Sequence, residues 1–261
     1  MKLGEVERLR GELAEFVADV FGSLPRRDQR RWGECYLRGL MLDGRRKSVQ
    51  PMAERPPDGN MQALQQFVNQ SPWDPLPVRR RIAQRLCEVA GPEVWVVDDV
   101  SFPKCGTASV GVARQYCGAV GKRANRQVAV SVHAAADTAS CPLEWELFLP
   151  EEWAHDDGRR RRAGVPDEVG HVTKTRLALG LLDRLAEQAS LPASTPVTDL
   201  VRWAKMRWRI EHDYRELKHG LGLDHFEGRT WRGWHHHVTL VTAAQAFLTL
   251  RRLDPKVHTP A

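Results

Sequence analysis

The chain has 261 residues, 42% of them hydrophobic, which is enough for the core of one large domain or two modest ones. No apolar run approaches the roughly 18 residues of a membrane span, and the N-terminus MKLGEVERLR is charged where a secretory signal turns apolar, which argues against export and predicts a cytoplasmic, nucleoid-associated protein. Five cysteines, an odd number without a Cys-x-x-Cys pair, argue against a disulfide framework and a zinc ribbon and read as reduced thiols, while a formal charge of +6 and a pI near 9.3 suit a polyanionic partner.

Up to about residue 90 the apolar spacing predicts helices separated by breakers. Leu9, Leu13, Phe16, Val17 and Val20 recur at helical spacing, and a second run covers Arg27 to Leu42. Arg45, Arg46 and Lys47 precede Ser48, a candidate N-cap, and Pro56 to Gly59 reads as a turn. Helices follow around Met61 to Val68 and Val78 to Ala90, the latter carrying Arg79, Arg80, Arg81 and Arg85. Small helices with exposed cations fit a DNA-docking module, and a helical bundle with ordinary surface charge fits them equally well. Only eight of the 39 basic residues are lysine, which suits phosphate recognition by arginine but also follows from a GC-rich genome.

After Gly91-Pro92 the texture changes. Val94 to Val97 predicts a buried strand ending in Asp98-Asp99. Alternating segments at Ser109 to Tyr116, Gln127 to Ala135 and Leu143 to Leu149 predict an antiparallel meander turning at Gly118 to Lys122. Thr173 to Ala189 reads as a helix, LPASTP from Leu191 as a linker, Thr198 to His219 as a long helix stopped by Gly220 and Gly222, and Val238 to Leu250 as a last apolar helix.

On the long helix, steps of ~100° per residue put Arg207, Glu211 and Lys218 within roughly 60° of one another, a carboxylate between two cations. An exposed helix ion pair has the same spacing and contributes only ~0.5 kcal/mol. His235, His236 and His237 are consecutive in a helix, so their rings diverge and cannot share one ion. Phe226, Trp231 and Trp234 read as packing residues rather than base-stacking platforms, and Arg159 to Arg162 as either a phosphate grip or a solvated loop.

The segments VVDDVSFPKCG (96–106), SVGVARQYCGAVGKRANRQVAV (109–130) and RWRIEHDYRELKHGLGLDHFEGRTWRGWHHHVTLV (207–241) resemble DDE transposases of bacterial insertion sequences, the IS-four-like group of IS-seven-oh-one type. The resemblance implies an α/β, ribonuclease-H-like catalytic domain over residues 91–252, behind a helical DNA-binding region at 1–90 and ahead of a short tail at 253–261. It implies Asp99 as the first metal-binding and catalytic acid, with Asp98 as the less favoured neighbour, and Glu211 as the acid of the catalytic helix. Arg207 and Lys218 become DNA-contacting cations, joined by Arg45, Arg46 and Lys47 of the N-terminal region. Ala204 stands where the family carries a tyrosine. Magnesium, or manganese in its place, is the implied cofactor. Double-stranded DNA at transposon ends is the implied partner, and a homo-oligomer is compatible with it.

The resemblance also implies that an internal segment is missing, because the family's second aspartate lies on a further strand between the meander and the catalytic helix. Asp183, Glu187 and Asp199 are the acids in that interval, and Asp137, Asp156, Asp157 and Glu168 are other substitutes. Two readings follow: an enzyme that cuts and joins DNA, or a DNA-binding relic that occupies transposon ends or joins a full-length transposase as an inhibitory partner.

Overall fold

The computed structural model describes residues 3–118, 121–186 and 208–254. Arg207, Ala204, Glu187, Asp199 and the LPASTP segment lie outside these residues, as does the first part of the expected long helix.

Five helices come first: α1 (Leu3–Val20), α2 (Arg27–Met41), α3 (Val49–Ala53), α4 (Met61–Asn69) and α5 (Pro75–Ala90). Their apolar stripes bury Phe16, Leu37, Leu40, Leu64 and Ile82, as the 3.6-residue period requires. The α5 helix begins three residues before the predicted start because the Asp74 carboxylate accepts the Leu76 N–H at 2.9 Å and Pro75 needs no donor of its own. It ends on Gly91 in the left-handed region, φ +53°. Ser48 does occupy the N-cap position of α3, but its hydroxyl makes no capping bond.

A four-stranded antiparallel sheet follows: β1 (Val94–Pro103), β2 (Ala113–Cys117), β3 (Lys122–Ala135) and β4 (Ser140–Leu147). The long β3 lies in the middle, with β1 along one edge and β2 and β4 end to end along the other. Among the described residues β1 pairs with β3 alone. One expectation is corrected here. The strand does not end at Asp98-Asp99 but runs on to Pro103, because Val100 and Phe102 alternate into the core while Val100, Ser101 and Phe102 pair with Ala129, Val128 and Gln127. The two aspartates are therefore mid-strand.

Two short helices, α6 (Glu151–Ala154) and α7 (Asp157–Ala163), replace the loop expected around Arg159 to Arg162. The Asp156 carboxylate caps α7 by accepting the Arg159 N–H at 2.8 Å, and the Arg159 guanidinium lies 4.0 Å from the Trp153 ring centroid. Helix α8 (Lys174–Ala186) covers one face of the sheet. Residues 208–215 form the described part of helix α9, which widens into a π-turn at Glu216–Gly220 before Gly222 turns the chain at φ +68°.

The last helix, α10 (Trp231–Leu253), starts seven residues before the predicted Val238, because the Thr230 hydroxyl accepts the Gly233 N–H at 3.1 Å and opens the helix there. It packs against α2, α4, α5 and β4, so one continuous core joins the N-terminal helices to the sheet. Burying Val238, Leu240, Val241 and Phe247 contributes about 1.5–3 kcal/mol apiece, as an upper bound. The three consecutive histidines diverge as expected. His235 meets Arg79, His236 lies between the Val68 and Trp73 carbonyls, and His237 lies between the Tyr36 hydroxyl and the Gly222 carbonyl.

Candidate functional site

The register of β1 against β3 decides which aspartate faces α9. Asp98 lies opposite Ser131, and directly opposed residues of two antiparallel strands project from the same face. The Ser131 hydroxyl is 2.7 Å from the Tyr214 hydroxyl of α9, so this is the α9 face of the sheet. Asp99 alternates to the other face, where it is exposed and ion-paired with Lys174 at the start of α8. The structure thus brings Asp98 to the face of α9 that was expected for Asp99.

Helix α9 is fastened to this face by a chain of buried polar groups. The Ser140 hydroxyl donates to one Asp213 carboxylate oxygen at 2.7 Å, and the other oxygen lies 3.1 Å from His133 Nδ1. A carboxylate only accepts, so His133 Nδ1–H donates to Asp213, and Nε2 lies 3.1 Å from the Ser131 hydroxyl. Ser131 in turn shares a hydrogen bond with the Tyr214 hydroxyl. Burial, with a smaller contribution from Asp98 and Asp99, holds that phenol well above the ordinary tyrosine range. Ser131, His133, Asp213 and Tyr214 are contributors that the sequence reading missed. The available signal was a histidine and a serine inside the otherwise apolar strand AVSVHAA.

The buried side chains Ile210, Asp213, Tyr214 and Leu217 define the inner face of α9. Glu211 is three residues before Tyr214, and Lys218 is four after it, so both lie on a stripe beside that face. Lys218 reaches β1 directly. Its Nζ donates to the Ser101 carbonyl at 3.2 Å and lies 5.7 Å from the Phe102 ring centroid, and burial lowers its pKa. Glu211 is exposed one helical stripe away from Tyr214. Asp98 and Lys218 thus belong to the sheet face that α9 covers, and Glu211 is exposed on α9 itself.

The cations predicted in the N-terminal region divide. Arg45 and Arg46 are exposed, the latter paired with Glu227 at 2.7 Å. Lys47 is only 3% exposed and donates to the Leu42 carbonyl, so it offers no charge to a surface ligand and its expected DNA contact is withdrawn. Three of the four arginines of α5 are likewise engaged internally: Arg79 is buried against Glu144, and Arg81 and Arg85 hold Asp19 at 2.7 and 2.8 Å. Arg80 is exposed.

The sequence matches the family described as DDE superfamily endonuclease over residues 19–217, most of the chain. The chain belongs to that family. It is also 31% identical over 116 residues to the probable transposase for insertion sequence element IS701 of Microchaete diplosiphon. That stretch covers 44% of this chain and 30% of the relative, so the match spans under a third of the relative's length. For a DDE endonuclease, the mixed α/β architecture is the ribonuclease-H-like core. Members of this family generally work with divalent metal ions. Asp98 and Glu211 are acids of the right chemistry for such ions, but among the described residues no three His, Cys, Asp or Glu side chains converge in a metal-holding group. The substitute acids are dispersed: Asp156 caps α7, Asp157 lies in its first turn, and Asp183 and Glu168 are exposed on α8 and in the loop before it. No helix of the described residues is long and apolar enough to cross a membrane.

Proposed function

We propose that this chain is a transposase-family protein of an insertion sequence that holds duplex DNA against the surface bordered by Asp98, Glu211 and Lys218, and that it does not cut DNA on its own. The observation that carries the reading is the register that sets Asp98 beside Ser131 and Tyr214, on the face served by α9. The family match and the similarity to a probable insertion-sequence transposase support the ancestry.

Each residue has a definite part in this reading. Lys218, anchored on the Ser101 carbonyl, is a fixed cation for a backbone phosphate, with Arg207, Arg45 and Arg46 as further contacts. Asp98 and Glu211 are the acids that would hold magnesium or manganese, which when bound supplies charge stabilisation at a phosphodiester. The buried Asp213–His133–Ser131–Tyr214 chain fixes α9 on the sheet, and so fixes Glu211 and Lys218 relative to Asp98. Two acids offer few oxygens to hard divalent ions that take about six ligands each, which is the ground for proposing DNA binding without cleavage. An active enzyme is the second reading, favoured by the match to an endonuclease family. It requires a third acid, and Asp199 outside the described residues is one source.

Fluorescence anisotropy on a labelled duplex tests the binding. The expected result is affinity at low salt that falls steeply as salt rises, with the slope of log K against log salt reduced by about 0.9 in Lys218→Gln. No binding of the unmodified chain at low salt would refute the proposal.

A further inference from the structure

Beyond the end of β1 lies a cleft of about 560 Å³. Its walls come from three distant parts of the chain: the turn with Arg45 and Arg46, the Pro103–Ser109 loop with Lys104, and the 224–229 segment with Arg229. We propose that this cleft seats the phosphodiester backbone of DNA, at a position separate from the Asp98–Glu211–Lys218 surface; the inference rests on the DNA-binding reading above.

Charge favours an anion there. Four cations line the cleft against two carboxylates, Asp224 and Glu227, and Glu227 is already held by Arg46. Arg45 and Arg229 are exposed, and among the described residues neither has a carboxylate partner. Lys104 donates to the Phe226 carbonyl at 2.8 Å, which holds its half-buried ammonium in the cleft wall. Phosphate oxygens are the acceptors that suit paired guanidinium forks.

The walls are braced as a site requires. The Lys47 backbone N–H donates to His225 Nδ1 at 3.0 Å, tying the basic turn to the 224–229 segment. The Lys104 bond to Phe226 ties the end of β1 to that same segment. Arg55 donates to the Arg46 carbonyl, and to that of Gly39 at 3.1 Å, so the turn is clamped from behind. Cations held this way lose little side-chain and loop freedom when a ligand binds.

Position gives the cleft a place along a duplex. From Asp98 to Pro103 is five strand residues, about 17 Å, with Lys218 fastened at Ser101 on the way. At about 3.4 Å of helix axis per nucleotide, a DNA strand passing Asp98 reaches the cleft about five steps later. The N-terminal region and the sheet would then grip one strand together.

Cys105 lines the cleft and is exposed, whereas Cys35, Cys117 and Cys141 are buried and Cys87 is half-buried, so a maleimide dye reports on Cys105 in the folded chain. The test uses the full chain and a labelled duplex, measuring the salt dependence of binding for the unmodified protein and for Arg45→Gln/Arg229→Gln, and dye incorporation with and without DNA. The proposal expects a salt slope lower by about 1.8 in the double variant, two contacts at about 0.9 each, and slower labelling of Cys105 in the presence of DNA. Binding of the unmodified chain with an unchanged slope in the variant and an unprotected Cys105 overturns the cleft, and with it the Arg45 contact, and leaves DNA binding at the Asp98–Glu211–Lys218 surface standing. No binding by the unmodified chain overturns both. If the variant fails to fold, as circular dichroism would show, protection of Cys105 in the unmodified chain decides alone.

Discussion

Replacing Arg79 by methionine should unfold this protein far more readily than replacing any other arginine of α5. The guanidinium is 1% exposed and occupies the junction of α5, β4 and α10. It donates to Glu144 at 2.6 Å, to the Thr239 hydroxyl at 2.7 Å, and to the Trp145 and His235 carbonyls at 2.9 and 3.2 Å. Methionine fills much of the volume but supplies no donor, leaving the buried Glu144 carboxylate with only the Trp145 N–H at 3.0 Å. Breaking a buried ion pair from one side costs about 3–5 kcal/mol, and the orphaned carbonyls act in the same direction. For a chain of this length that is a fall in Tm of about 6–20 °C. Urea denaturation followed by circular dichroism gives the loss directly, and Arg79→Met/Glu144→Leu should recover part of it because the stranded charge is removed. A loss below about 1 kcal/mol in the single variant, or an additive double variant, would refute the reasoning.

Two further outcomes follow from buried groups. Gly222 has φ +68°, and a Cβ there would lie 2.3 Å from Lys47 Cβ, so Gly222→Ala should cost about 2–4 kcal/mol in chemical denaturation; a cost under about 0.5 kcal/mol would contradict the packing. Burial pushes the His237 pKa from 6.5 to about 3, so the folded state binds fewer protons there than the unfolded state. Its contribution is complete above the unfolded pKa of 6.5 and is lost as pH falls toward 3. From about pH 8 to about pH 5 this amounts to about 2 kcal/mol, and His237→Gln should flatten the stability profile across that window. An equally steep profile in the variant would count against it.

The sequence reading reached the helices of the N-terminal region because the apolar period and Gly91 act locally, and it placed the start of α5 late because the Asp74-Pro75 cap was passed over. It stopped β1 at the two aspartates because polar residues ended an apolar run, although the alternation of Val100 and Phe102 was already visible. The choice between Asp98 and Asp99 depends on register with Ser131, more than thirty positions away, and no local pattern encodes that pairing. The fates of Lys47 and Arg79 were hidden for the same reason. Each is a cation beside other cations in sequence, and only the folded chain brings Leu42 to one and Glu144 to the other. The divergence of His235, His236 and His237 was legible because it follows from the helix alone.

Incubation of the purified chain with labelled duplex carrying the element's own ends, in magnesium or manganese, tests the proposed function most directly. The register places Asp98 on the sheet face that α9 covers, and among the described residues no three His, Cys, Asp or Glu side chains form a metal-holding group. The expected result is DNA that is bound and left intact, with Asp98→Asn and Asp99→Asn indistinguishable from the unmodified chain in the product lanes. Metal-dependent nicking by the unmodified chain that is abolished in Asp98→Asn would show that another acid completes the site, and that this protein cuts the DNA it holds.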